Sequence, residues 1–355
     1  MDGDESGIST ETSAKVAKLT VVVCTHNRVQ LLARTLESLN RSARPQNCDV
    51  ELLIVANACT DSTVEFLRSY VGRRDQERWI PLRWVSEPIA GKSHALNTAL
   101  PLVHDGILVF VDDDHRVDVN YLVQVAKASQ AHPHAGLICG RVLADWDGRE
   151  PSWVHDTGPY RIYPLPIPNY QQSDQTKEIT REGPAPGGGN LCVRREVFDR
   201  IGEFSTQLGP HGHDLGGGED SDFVHRCLAA GERIQYVPEI LQYHYVDLER
   251  LRLSYLLRKS FQRSRSGVRI NFPHTSSIPR YMWRKVASYL FRAGLSASWA
   301  RTRFFLVRVA AALGEIRGFM DNAAKPQSSQ PYDPGDLPAD RHAKPSHRPE
   351  QDIAE

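Results

Sequence analysis

The chain has 355 residues, in which 43 lysines and arginines balance 43 aspartates and glutamates. This length suffices for one large domain or two smaller ones, and the zero net charge argues against nucleic acid as a partner. The six cysteines form no C-x-x-C pair, which predicts reduced thiols rather than zinc ligands or disulfides. Because the first residues lack a signal-peptide core and no apolar run is long enough to span a membrane, we expect a cytoplasmic protein.

Strands and helices are predicted to alternate through the first third of the chain. Apolar, β-branched runs predict strands at residues 19–24, 51–56, 82–85 and 107–111, and apolar residues at helical spacing predict helices between them. This alternation predicts an α/β fold with a mostly parallel, Rossmann-like sheet flanked by helices. Ligands bind such sheets at the carboxyl ends of the strands. The polar residues expected near that edge are Thr25, Asn27, Arg28, Asn57, Asp61 and Lys92.

Three adjacent carboxylates, Asp112, Asp113 and Asp114, follow the apolar strand at residues 107–111. Carboxylates that are partly removed from water and close together repel one another. A divalent cation relieves this repulsion, and oxygen ligands suit Mg²⁺ or Mn²⁺. The alternative is a solvated acidic turn, but the position after a buried strand favours a metal site.

The second half of the chain contains further polar motifs. Gly188-Gly189-Asn190 opens a predicted strand, and Glu219-Asp220-Ser221-Asp222 begins a predicted helix after a glycine-rich loop at residues 209–218. His244 follows the last predicted strand and is either a ligand or a structural histidine. Residues 144–186 contain no predicted regular element, and a loop of this length suits a lid over a site.

Residues 247–323 are predicted to form helices in which arginines alternate with aromatic residues. Such helices either lie on an anionic membrane, as a peripheral contact, or pack against the domain that precedes them. Both interpretations stay open. The polar segments 1–18 and 324–355 have little to bury and are predicted to be disordered.

Six motifs in this order resemble family 2 glycosyltransferases of the GT-A fold, over residues 19–270 of the chain. Each motif alone has low specificity, but the ordered set is specific. The motifs are residues 23–28, 57–61, 91–97, 112–114, 188–195 and 218–220.

The resemblance implies roles for these residues. Asp112 and Asp114, with His244, would hold Mn²⁺ or Mg²⁺ against the diphosphate of a nucleotide sugar. Lys92 would contact the phosphates, with an ion pair to Glu87 as the alternative. Asp220, assisted by Glu219, would be the general base of an inverting transfer to a hydroxyl group. The donor would contact Thr25, Asn27, Arg28, Asn57, Asp61, Lys92, Asp112 and Asp113, and the acceptor or sugar would contact Gly188, Gly189, Asn190 and Asp222.

The resemblance also implies a domain organisation. Residues 19–246 would form the GT-A domain, with a nucleotide-sugar-binding half at 19–115 and an acceptor half at 116–246. A C-terminal helical extension would follow. The acceptor would be a glycan, a polysaccharide or a lipid-linked molecule. Ala56 departs from the family pattern, because uridine-using relatives often carry an Asp at this turn, so UDP, GDP and dTDP sugars are all candidate donors.

Two other classes of protein share part of this pattern. A phosphatase of the haloacid dehalogenase type also has D-x-D after a strand, but Arg116 stands where that class needs Thr or Val. A non-catalytic nucleotide-sugar-binding module would be expected to lack acceptor-side carboxylates, whereas Glu219, Asp220 and Asp222 are present. The sequence therefore favours a metal-dependent, inverting glycosyltransferase.

Overall fold

The computed structural model describes residues 17–72, 79–206, 218–272 and 277–323. The predicted disordered ends therefore lie outside the described residues, except that Ala17 and Lys18 begin the first strand. The glycine-rich loop at residues 209–218 also lies outside them, except for Gly218.

The described strands are β1 Ala17–Thr25, β2 Cys48–Asn57, β3 Leu82–Glu87, β4 Ile107–Phe110, β5 His115–Val117, β6 Leu137–Asp145, β7 Lys177–Ile179, β8 Leu191–Arg194 and β9 Ile234–Tyr245. The described α-helices are α1 Val29–Arg41, α2 Thr63–Val71, α3 Lys92–Ala99, α4 Tyr121–Ala131, α5 Arg195–Ile201, α6 Glu219–Ala229, α7 Leu253–Asn271, α8 Tyr281–Gly294 and α9 Trp299–Ala323.

The nine strands of the described ranges belong to one mixed sheet, in the order β3-β2-β1-β4-β8-β6-β9-β5, with β7 paired to β9. The first four strands in this order are parallel, as predicted. Strand β8 then pairs antiparallel with β4 and with β6. The predicted α/β class with a helical C-terminal region is confirmed, and the antiparallel half of the sheet is added to it.

The parallel strands are buried on both faces, which explains their continuous apolar runs. Successive residues of a strand point to opposite faces, so Val21 and Val23 pack in one core cluster while Val22 packs in the other. Helices α1 and α4 contribute to the first cluster, and α3 and α6 contribute to the second. The sheet is thereby fixed between two apolar layers, and the polar ends of its strands stay at its edge.

Four elements differ from the prediction. Strand β5 follows the three aspartates at once, a short strand β7 and a 3-10 helix at Ser152–His155 lie within residues 144–186, and β9 extends to Tyr245. His244 is therefore inside β9, not after it. Strands β5 and β7 contain only three residues each, which is too short for alternation of apolar and polar residues to be recognised.

The chain divides into two compact units, and residues 17–143 with 169–245 form the one that carries most of the sheet. Residues 144–168 and 246–323 form the other, so the first part of the predicted lid groups with the helices. In this unit the buried Arg303 lies 3.2 Å from Asp156 and stacks on Trp153 at 4.5 Å. No helix in the described ranges is long and apolar enough to cross a membrane.

Close contact between α7 and α9 depends on two glycines of α9. A Cβ on Gly314 would lie 2.1 Å from the carbonyl oxygen of Phe261, and a Cβ on Gly318 would lie 2.8 Å from that of Arg265. Only glycine permits such an approach of two helix backbones. These two positions therefore set the spacing of the two longest helices.

Asn190 joins β6 to the turn that precedes β8, and its removal should destabilise the sheet. Its side chain is 3% exposed, accepts a hydrogen bond from Gly140 N at 3.0 Å and donates one to Gly140 O at 2.7 Å. In Asn190→Ala both backbone groups of Gly140 lose their partner in the core. We expect the free energy of unfolding to fall by about 2 kcal/mol or more, measured by urea denaturation followed by circular dichroism. The exposed Asn169→Ala is the matched control, and equal stability of the two variants would contradict this assignment.

Candidate functional site

A cavity of about 290 Å³ lies at the carboxyl ends of β1, β2 and β4. It is bounded by the start of α3 and by His244 of β9. The geometry follows from the parallel sheet, because the polar residues that end each strand meet at one edge. The predicted site residues that line it are Thr25, Arg28, Asn57, Lys92, Asp112, Asp113, Asp114 and His244.

Asp112 and Lys92 form an ion pair in this cavity. The Lys92 Nζ atom lies 2.8 Å from Asp112 Oδ1, so Lys92 pairs with Asp112 and not with Glu87. Burial opposes the charge of both groups, but their mutual attraction raises the pKa of Lys92 and lowers the pKa of Asp112. A Cβ on Gly189 would lie 2.4 Å from the Asp112 carboxylate. The glycine therefore makes the room that Asp112 occupies.

Asp113 is the most deeply buried of the three carboxylates, at 5% exposure. It accepts a hydrogen bond from Thr25 Oγ1 at 2.7 Å and one from Arg28 at 3.1 Å. Burial nevertheless raises the pKa of Asp113 to about 6. The same Arg28 nitrogen lies 3.2 Å from Asp114 Oδ2, so one guanidinium links two of the three carboxylates.

Asp114, His115 and His244 each offer a ligand atom, and these atoms all lie within 4.8 Å of one another. His244 Nδ1 lies 2.6 Å from the carbonyl oxygen of Tyr245, and His115 Nδ1 lies 2.8 Å from Gln242 Oε1. These oxygens only accept hydrogen bonds, so Nδ1 is the protonated nitrogen in each neutral ring and Nε2 keeps a lone pair.

Burial lowers the pKa of His244, which favours the neutral imidazole that binds metals. Its Nε2 atom lies 3.7 Å from Asp114 Oδ2. Hydrogen bonds that orient ligating histidines through their second nitrogen are typical of metal sites. One carboxylate and two such imidazoles therefore fit a divalent cation. Asp112 as a further ligand stays a prediction, because its carboxylate is paired with Lys92.

Glu219 and Asp220 begin helix α6, directly after Gly218 in a backbone conformation with φ of 118°. Asp220 Oδ2 accepts a hydrogen bond from Gly188 N at 2.7 Å, and Oδ1 accepts one from Ser221 N at 2.7 Å. Glu219 is 3% exposed, and its Oε2 atom has no hydrogen-bond partner among the described residues. Burial raises the pKa of Glu219.

Gly188 connects the two carboxylate groups of the site. A Cβ at this position would lie 3.6 Å from Lys92 Nζ and 3.2 Å from Asp220 Cβ. The turn at Gly188 and Gly189 therefore lies between the two groups: Gly188 N donates a hydrogen bond to Asp220, and Gly189 leaves free the space that the Asp112 carboxylate occupies. The structure thus brings the predicted donor and acceptor sides together around one backbone turn.

Four predicted site residues instead use their side chains to hold backbone segments or an ion pair. Asn27 Oδ1 accepts from Thr60 N and Asp61 N, and Asp61 accepts from Val29 N and Thr63 N. Asn190 is bonded to Gly140, as described above. Asp222 lies 2.9 Å from Arg226. Direct contacts of these four side chains with a ligand stay predictions.

Asn57 lines the cavity, and its amide bonds the backbone of the segment that leads into α3. Nδ2 donates to Ile89 O at 2.7 Å, and Oδ1 accepts from Gly91 N at 2.9 Å. The side chain thereby fixes the turn that leads into α3 and Lys92.

Sequence reasoning missed His115 and Gln242. The sequence analysis assigns no role to His115, but β5 pairs antiparallel with β9 and places His115 opposite His244. Gln242, fully buried, orients His115 and also donates to Gly189 O at 3.0 Å. A histidine directly after three aspartates was the sequence signal that could have identified His115 as a site residue. The pairing of β5 with β9 has no local sequence signal, because the two strands are separated by more than a hundred residues.

Comparisons with known proteins agree with this geometry. The model of the family described as Glycosyl transferase family 2 matches residues 20–202. The succinoglycan biosynthesis protein ExoM of Rhizobium meliloti (strain 1021) is 25% identical over 249 residues, which are 70% of this chain and 73% of that protein. A glucosyl-dolichyl phosphate glucuronosyltransferase of Haloferax volcanii is 23% identical over 248 residues, which are 69% and 74% of the two chains.

Two solved structures have a similar fold. S. aureus TarS 1-349 in complex with UDP superposes with a TM-score of 0.51 at 18% identity, covering 86% of this chain and 90% of that chain. The mannosyltransferase PcManGT from Pyrobaculum calidifontis, in complex with GDP-Man and Mn²⁺, superposes with a TM-score of 0.50 at 20% identity, covering 86% of each. These similarities confirm the predicted GT-A fold. Since the family model covers more than half of the chain, the protein belongs to glycosyl transferase family 2 and is a glycosyltransferase.

Proposed function

We propose that the protein transfers a sugar from a nucleotide-sugar donor to a hydroxyl group of a glycan or lipid-linked acceptor, with Mn²⁺ or Mg²⁺ bound and with inversion at the anomeric carbon. The observation that carries the proposal is one turn, at Gly188 and Gly189, that donates a hydrogen bond to the Asp220 carboxylate and leaves room for the Asp112 carboxylate. The names of relatives support the reaction class, since ExoM is a succinoglycan biosynthesis protein and the Haloferax protein acts on a dolichyl phosphate sugar.

Asp114, His115 and His244 would hold the divalent cation, which would neutralise charge on the departing diphosphate. With Nδ1 of both histidines bonded, Nε2 of His244 lies 3.7 Å from Asp114 Oδ2 and Nε2 of His115 lies 4.0 Å from Asp112 Oδ2. Arg28, which lies against Asp113 and Asp114, would exchange these contacts for donor phosphate. Lys92 would likewise shift from Asp112 towards the phosphates, where a fixed cation stabilises the leaving group.

Asp220 is the proposed general base. Hydrogen bonds from Gly188 N and Ser221 N hold its two carboxylate oxygens in place at the start of α6. The acceptor hydroxyl gives its proton to the Asp220 carboxylate while its oxygen bonds to the anomeric carbon. The bond from that carbon to the diphosphate breaks on the opposite face, and the nucleoside diphosphate leaves. The buried Glu219 is proposed to adjust the basicity of Asp220.

The donor base stays open between uracil, guanine and thymine. Ala56 offers no polar side chain, and the Asn57 amide is engaged with Ile89 and Gly91. TarS binds UDP and UDP-GlcNAc, whereas PcManGT binds GDP-Man. The proposal therefore gives UDP, GDP and dTDP sugars equal standing.

We also propose a peripheral contact with an anionic membrane surface through α8 and the residues that follow it. Trp283 is 56% exposed, Phe291 67% and Trp299 61%. Between Glu249 and Glu315 the sequence contains no aspartate or glutamate. Exposed aromatic residues among cations are typical of helices that lie in a membrane interface.

The metal and donor prediction concerns Asp114. With Mn²⁺ present, at least one of UDP-glucose, GDP-mannose and dTDP-glucose should raise the melting temperature. Ligand at 100 times its dissociation constant stabilises by about 2.7 kcal/mol. Asp114→Asn should abolish the Mn²⁺-dependent shift, because it removes the anionic ligand from the triad. The exposed Asp49→Asn is the control, and a full shift with Asp114→Asn, or with chelator, would exclude this metal site.

The base prediction concerns Asp220. Asp220→Asn keeps the shape of the side chain and one accepting oxygen, but it loses basicity. Turnover should fall about 10²–10⁴-fold while donor affinity changes little. The exposed His225→Gln on the same helix is the control. Nuclear magnetic resonance of the product should show inverted configuration; retained configuration or near-normal turnover would move the role to another residue.

The membrane prediction concerns Trp283 and Phe291. Replacing both by Ser should weaken binding to phosphatidylglycerol vesicles by about tenfold for each aromatic side chain removed, measured by co-sedimentation. The matched control is Val119→Ser, which removes a 59% exposed apolar side chain from the sheet-bearing unit. If vesicle binding falls equally in both variants, α8 does not form the proposed membrane contact.

A further inference from the structure

The unit formed by residues 144–168 and 246–323 contains a cavity of its own, of about 360 Å³. One wall is a face of α7 that includes Leu256, Lys259 and Arg263, and the other is a face of α9 that includes Phe304 and Arg308. The segment Arg161–Pro166 lines it as well. We call this cavity the α7–α9 pocket. Its volume is at the lower end of the range of small-molecule sites.

Four cations line the α7–α9 pocket, namely Arg161, Lys259, Arg263 and Arg308. Within the described ranges, none of the four lies within ion-pair distance of a carboxylate. Other cations of this unit do have such partners: Arg265 pairs with Asp321, Lys285 with Glu315 and Arg303 with Asp156. Further cations of the acid-poor sequence between Glu249 and Glu315, such as Arg258 and Arg284, also have no carboxylate partner among the described residues, so what distinguishes these four is that they line one cavity.

The rest of the lining is mainly apolar. Leu256 is buried at 4% exposure, and Phe304, Val307 and Ala311 form the α9 wall one helical turn apart. The Ser260 hydroxyl is already used, since it donates to Val307 O at 3.2 Å. A free phosphate would leave this apolar surface in water, and a hydrocarbon alone would leave the four cations without a counter-charge.

We propose that the α7–α9 pocket binds a lipid that ends in a phosphate or diphosphate. The phosphate oxygens are bound by Lys259, Arg263, Arg161 and Arg308, because guanidinium and ammonium groups suit phosphate. The first part of the hydrocarbon chain lies against Leu256, Phe304 and Val307. Binding of this lipid does not depend on the proposed transfer reaction. Only its further role, as the site that holds a lipid-linked acceptor, rests on that function.

The test is a calorimetric titration of the full chain with farnesyl diphosphate, in the presence of chelator so that no divalent cation is bound at the Asp114 triad. We expect Lys259→Gln and Arg263→Gln each to weaken binding by about tenfold, the effect of losing a charge-assisted hydrogen bond. Arg258→Gln is the matched control, since Arg258 is an exposed cation of the same helix that does not line the pocket. It should bind like the unaltered protein.

Two further titrations separate the sources of binding. Inorganic pyrophosphate and farnesol should each bind at least about tenfold more weakly than farnesyl diphosphate, since each lacks half of the contacts. If pyrophosphate binds as tightly as farnesyl diphosphate, the pocket binds only the anion. If farnesol binds as tightly, the pocket binds only the hydrocarbon. Either result, or equal binding by Lys259→Gln and Arg258→Gln, overturns the proposal. Because no sugar donor is present, failure here is distinct from failure of the transfer reaction.

Discussion

Three adjacent carboxylates at the end of a buried strand are the constraint around which the rest of the site is arranged. Each has been given a different partner, so that none repels its neighbours without compensation. Asp112 lies against Lys92, Asp113 accepts from Thr25, and Asp114 lies beside His244. These partners come from α3, β1 and β9, so elements that are distant in sequence must meet where the carboxylates do. The need to compensate the charges of residues 112–114 thereby brings the start of α3 and the ends of β1 and β9 to the same place.

The opposite wall of the site is built without charge. Gly188 and Gly189 bring a bare backbone against Lys92, Asp112 and Asp220, and Asn190 ties this turn to β6 through both polar groups of Gly140. These two hydrogen bonds of the Asn190 side chain fix the turn to β6. A rigid turn between two carboxylate groups suits a reaction that requires donor and acceptor at a fixed separation.

The parallel half of the fold and the core of the site could be predicted from sequence, because both depend on local patterns. The apolar run before Asp112 and the polar residues after Val23 each identify a strand and its end. The pairing partner of each strand could not be predicted in the same way. His115 lies in the site because β5 pairs with β9. The uses of Asn57, Asn190 and Asp222 depend likewise on distant backbone atoms or on a neighbouring arginine. A sequence motif shows that a polar side chain is needed, but it does not show whether a ligand or the protein backbone uses it.

The position of β8 has a consequence for the order in which the chain can fold. Strand β8 comes late in sequence but lies in the interior of the sheet, between β4 and β6. Until residues 191–194 leave the ribosome, β4 has an unpaired edge next to an apolar surface. Such edges are sites of aggregation during synthesis. The first 190 residues thus contain the three adjacent aspartates and the four parallel strands, yet a nascent chain of that length has an unpaired edge in the middle of its sheet that a chaperone would have to shield.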